Sequence, residues 1–142
     1  MIDNGRKKRI AVAIPVLLLV FVALLQANIR FFSIVQQVCN SYRVPVVMNR
    51  MKLTPAGDGT TFDLFLESRR NNFEEVMMVG YIGVGQAMAR TNIKVSLINI
   101  TVSIPKADNM LIMTTAEAQL VERLRVGKIR SAAFMRQLQW NN

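Results

Sequence analysis

The stretch IAVAIPVLLLVFVALL, residues 10–25, decides how the rest of the chain is read. Every residue in it is apolar except Pro15. As a helix it spans about 24 Å, short of the ~30 Å hydrocarbon core of a bilayer. Carrying the helix on to Ile29 closes the gap, with Gln26 and Asn28 near the far boundary. Arg30 can then snorkel, and Phe31 and Phe32 suit the interface. Pro15 falls near the start, where lost backbone bonds are cheapest. The basic cluster Arg6-Lys7-Lys8-Arg9 abuts the run directly. A secretory signal peptide opens the same way. Its cleavage site is poor here, because Leu25-Gln26-Ala27 puts a large residue at a position that needs a small one. An uncleaved anchor is therefore expected. Four cations precede it and only Arg30 and Arg43 follow closely, so the positive-inside bias puts the N-terminus in the cytoplasm. The domain then lies outside, on the periplasmic side of a bacterial inner membrane.

The rest of the composition excludes more than it specifies. Among 142 residues there is no histidine and one cysteine, which removes Ser-His-Asp triads, Cys-His dyads and most zinc sites. The carboxylates are scattered, and no pair has a spacing that demands a shared site. Gly80-Tyr-Ile-Gly83-Val-Gly85-Gln-Ala-Met-Ala89 superficially resembles a dinucleotide fingerprint, but Met88 stands where a third small residue is required. The plainer reading is a helix face thinned for close packing. No enzyme activity, cofactor or metal is expected. Of the formal +9 charge, Arg123, Arg125, Lys128, Arg130 and Arg136 form a basic surface near the C-terminus, faced only by Glu117 and Glu122. That surface suits an acidic partner, a lipid or another anionic ligand, or simply solvent. No groove-reading motif accompanies it, so nucleic acid is not an expected partner.

Helical character continues past the anchor to Tyr42 as a rod. Leu25, Asn28, Phe32, Val35, Cys39 and Tyr42 follow 3-4-3-4-3 spacing, a seam for a partner helix with Asn28 able to fix the register; Ile29, Phe31, Ile34 and Val38 widen the apolar face, which equally suits packing on the chain's own domain. Pro45 ends the helix before Val44. Val46–Leu53 reads as a strand, and residues 54–60 as a turn. Thr61–Glu67 alternates cleanly, with Phe62, Leu64 and Leu66 on one face. Asn71-Asn72 caps a helix over Phe73–Arg90. Ile93–Ile104 is a β-type run whose apolar parity flips, which predicts a bulge near Leu97-Ile98. After a turn at Pro105–Asn109, the strand Met110–Met113 leads to Thr114-x-x-Glu117, a capping box for a helix to Val126 that Gly127 ends. Ser131 starts a last helix ending near Gln139. The chain thus divides into a basic tail (1–9), a transmembrane helix (10–29), a rod (30–44) and an α+β domain (45–142).

This order, α-β-β-α-β-β after a basic tail and one anchor, resembles the inner-membrane platform subunits of type II secretion and type IV pilus machines (the GspM and PilO type). The resemblance implies a ferredoxin-like domain outside the membrane, with additional C-terminal helices here. It also implies a structural role through helix pairing and domain dimerisation, so the partners are other membrane-protein subunits in a homo- or hetero-oligomer. The energy-transducing partners of ion channels (the TolR and ExbD type) are similar in size and anchor. In that family a membrane-embedded aspartate carries the proton, whereas here no Asp or Glu occurs between Asp3 and Asp58. The expected function is a non-enzymatic, single-pass scaffold subunit. An energy transducer and a membrane-anchored binding module for lipid or an anionic ligand are the alternatives.

Overall fold

The computed structural model describes residues 4–69, 71–106 and 108–141, with side chains from Ala13 onward. Helix α1 (Asn4–Ser41) runs for 38 residues, about 57 Å, without a break at the end of the apolar stretch. It stops three residues before Val44. The Tyr42 and Val44 amides both donate to the Cys39 carbonyl (3.1 and 2.9 Å), and Arg43 takes a left-handed conformation, φ 61°.

The chain then follows α1 instead of entering the sheet. Gln36 Nε2 donates to the Val46 carbonyl at 2.8 Å, Val44 and Val46 are buried, and a 3-10 turn occupies Met48–Arg50. These bonds use the backbone that the expected strand at Val46 required, so β1 covers Met51–Ala56. A two-residue turn, with Gly57 at φ 56°, leads into β2 (Gly59–Glu67). Helix α2 matches its expected span, Phe73–Arg90. Its cap differs: Asn72 makes no side-chain bond to the helix amides, and its Oδ1 accepts the Ser68 hydroxyl instead.

Strand β3 (Leu97–Ile104) pairs with β2 in parallel and without a bulge. The parity flip has another cause. Ile93–Ser96 is irregular chain tied to β2 by Ser96 N–H donating to the Thr60 carbonyl, so Val95 reaches the core outside any strand. Strand β4 extends over Met110–Glu117, past the expected capping box. Thr114 points into the core, where its hydroxyl bonds Tyr81 and Met77, leaving none for the helix. Helix α3 (Ala118–Arg125) ends at Gly127, φ 76°, as the glycine implied. Helix α4 (Ser131–Gln137) is followed by a short strand the sequence did not announce, β5 (Gln139–Asn141).

The sheet order is β1-β2-β3-β4-β5, antiparallel except for the central β2–β3 pair. The class is α+β, as expected. The order is not the interleaved, fully antiparallel one of a ferredoxin-like sheet. There the crossover helix skips a strand; here α2 joins two adjacent strands.

The core lies between the sheet and a helix layer, with Phe62, Leu64, Leu66, Ile98, Ile100 and Val102 pointing up from β2 and β3. Alternate residues form the opposite, uncovered face. There Asp63, Asn99, Thr115 and Asn141 join β2 to β5 in one hydrogen-bonded row (2.9, 2.7 and 3.3 Å).

Candidate membrane anchor and its junction with the domain

Helix α1 has two halves with opposite surroundings. From Ala13 to Gln26 every residue is exposed, including Leu17, Leu19 and Phe21. Burial begins at Ala27. Beyond it Phe31, Ile34, Val35 and Cys39 are part of the domain's own core. A run of large apolar side chains exposed all round a helix is stable in hydrocarbon and costly in water. Helix α1 is long and apolar enough to cross a membrane.

The second half is held by α2. A methyl on Gly83 would meet Cys39 Sγ at 3.3 Å and the Val35 carbonyl at 3.4 Å, so glycine is what allows this approach. The Cys39 thiol in turn points at the Val79 carbonyl, 4.0 Å away. The helices are therefore antiparallel. Extended along both helices at the same rise per residue, the register that sets Cys39 beside Val79 and Val35 beside Gly83 puts Phe31 level with Ala87 and Asn28 level with Arg90. The C-terminus of α2 thus lies where α1 leaves the domain. Phe31 and Phe32 close the junction against Phe62 of β2, at ring-centroid distances of 5.1 and 6.1 Å. The other two glycines of α2 face other neighbours. Gly80 lies over Ile100, Leu66 and Leu64, and Gly85 lies beside Val121 and Arg125 of α3. The glycine-rich stretch is a packing device, one position for each neighbour.

The residues expected to form a partner-helix seam are divided by this arrangement. Val35 and Cys39 are fully buried in the chain's own core, and Phe32 is half-buried against it. Leu25 and Tyr42 are exposed, and Asn28 is partly covered. α2 and the sheet fill the middle of that face, so only its two ends, Leu25 and Tyr42, stay exposed. Arg6, Lys7, Lys8 and Arg9 belong to the first turns of α1, and their side chains lie outside the described ones.

The basic C-terminal residues do not form one patch. Arg123 lines a groove with Leu97, Glu117 and Gln139, whereas Arg125 and Arg130 border another, beside Ile82 and Gln86. Lys128 and Arg136 are exposed. Arg125 is engaged by Glu122 through both guanidinium and carboxylate ends, which holds the Glu122 carboxyl below its usual range. Among the described residues no group of three or more His, Cys, Asp or Glu could hold a metal.

The sequence missed two features of the junction. Arg90 and Lys94 are far from the anchor along the chain, yet the antiparallel α2 brings them to the membrane end. Arg43, counted among the flanking cations, sits at the opposite end of α1, about 20 Å from Arg30. Comparison with protein-family models, with curated proteins and with solved structures gives no match to this chain.

Proposed function

We propose that this chain is a non-enzymatic, single-pass subunit that holds a rigid α+β domain against a membrane as a structural part of a larger membrane assembly. One observation carries the reading. The exposed apolar half of α1 and the core half are a single helix with no linker between them, so the span and the domain move as one body. Such a connection transmits position and force between a membrane and a protein layer, which a flexible tether does not. The four cations before the span favour a cytoplasmic N-terminus and a periplasmic domain in a bacterial inner membrane. The order of elements along the chain resembles that of secretion and pilus platform subunits, whereas the strand order departs from a ferredoxin-like sheet. The proposal is accordingly made for membrane assemblies in general.

The test is extraction of the full-length protein from its native membrane in mild detergent, followed by mass spectrometry of what stays bound. Stoichiometric recovery with other membrane proteins is expected. Recovery as a lone chain would overturn the assembly role.

A further inference from the structure

We infer that the membrane-proximal end of the domain is a docking surface for anionic phospholipid headgroups, read by Arg90 and Lys94 together with Arg30. The inference rests on α1 being the anchor. Three observations place this end at headgroup level. Burial of α1 starts at Ala27, two residues beyond the apolar run, and the α1–α2 contacts at Cys39–Val79 and Val35–Gly83, extended along both helices, put Arg90 level with Asn28. Arg90, Asn92 and Lys94 are all exposed there, on the segment leading from α2 into β3. Strand β2 then continues from Phe62, which touches Phe31, back to Gly59 and the 57–58 turn. The turn therefore lies at the same end of the domain as Phe31. With α1 crossing the bilayer, this end of the domain faces it.

The charge at this end is one-sided. Arg30, Arg90 and Lys94 face Asp58 and, at the edge, Glu117. The opposite end is mixed: Arg43, Arg50, Arg69 and Lys106 lie among Glu67, Glu74, Glu75 and Asp108. No acid pairs with Arg30, Arg90 or Lys94 in an ion pair among the described residues. Their guanidinium and ammonium groups remain available for lipid phosphates. Each cation near an anionic surface contributes about a fivefold preference at low salt, fading as salt rises.

The test uses full-length protein in phosphatidylcholine vesicles containing phosphatidylglycerol. A fluorophore is placed on Asn92→Cys or, at the far end, on Glu74→Cys, with Cys39 buried and silent. Nitroxide-labelled phosphatidylglycerol or phosphatidylcholine, with the spin near the headgroup, serves as quencher. Stronger quenching at position 92 than at 74 is expected, with the glycerol lipid the better quencher. In Arg30→Gln/Arg90→Gln/Lys94→Gln the proximity should remain and the lipid preference should vanish. Equal quenching at both positions, equal quenching by both lipids, or a preference undiminished by the triple change overturns the docking surface. Carbonate-resistant flotation of the same vesicles tests the anchor separately. Protein that floats without showing the preference removes only the inference, and protein that does not float removes the anchor with it.

Discussion

Tyr81 and Thr114 show how a single polar contact is settled inside this core. Both are fully buried, their oxygens lie 2.9 Å apart, and Thr114 also reaches Met77 Sδ at 3.2 Å. Phe134 packs edge-on against the Tyr81 ring at 5.1 Å. Removing one partner leaves the other buried with its bond lost, at a cost of about 1–3 kcal/mol; removing both costs much less. Tyr81→Phe and Thr114→Val should each lower the denaturation midpoint, and the double variant should lie well above the sum of the two losses. Additive losses in that cycle would mean the pair is not coupled. Burial pushes the Tyr81 phenol above the usual tyrosine range, partly opposed by the Thr114 bond. A group raised in the folded state stabilises below its unfolded value, near pH 10, and that contribution is lost as pH rises through the folded value. Tyr81→Phe should therefore flatten the alkaline limb of the stability profile. None of this was legible in the sequence, where Thr114 reads equally well as a helix cap.

Helix α2 makes an element-scale prediction with two signs. A Cβ at Gly83 would already press on Cys39 Sγ at 3.3 Å and touch the Val35 carbonyl, leaving no room for the rest of a leucine, so Gly83→Leu should cost about 1–3 kcal/mol or more. It should also expose Cys39, read as faster thiol labelling in the folded protein. A methyl at Gly85 meets only Val121 and Arg125 side-chain carbons at 3.4 Å or beyond, so Gly85→Ala should stabilise the helix by up to about 1 kcal/mol. Thermal melts of the two variants that move the same way would contradict the assignment of each glycine to its neighbour. At this scale the sequence was informative wherever a periodic pattern met a single environment. The α2 span and the Phe62–Leu64–Leu66 alternation both appear as read. It failed where one pattern had two possible occupants. The 3-4 seam of α1 specifies an apolar neighbour but not whether that neighbour belongs to the same chain. β5, three residues long, carries too little alternation to be seen at all.

For the molecule as a whole, the proposed anchoring makes orientation a matter settled before folding, by cations near the span along the chain. Arg90 and Lys94 join the membrane end only once the domain has folded, so they do not weigh against the N-terminal cluster. An impermeant thiol reagent should label Glu74→Cys in intact cells once the outer layer is permeable. Labelling only after lysis would reverse the topology. The strand order belongs to this scale too. Sequential elements gave the right α+β inventory, but local patterns do not encode which strands become neighbours.

A helix that passes without interruption from its exposed apolar half into the core also fixes an angle. Each residue turns the axis by 100°, so the azimuth of the domain around the span is set by the residue count between Leu25 and Phe31. One alanine inserted after Gln26 should swing the domain by about a quarter-turn relative to the membrane face of the anchor, leaving its fold untouched. Seven should bring the azimuth back to within about 20° while raising the domain about 10 Å. If recovery with membrane partners falls with one added residue and returns with seven, rotational phase is what the junction transmits. If both insertions fail alike, height is. A flexible joint would be indifferent to either.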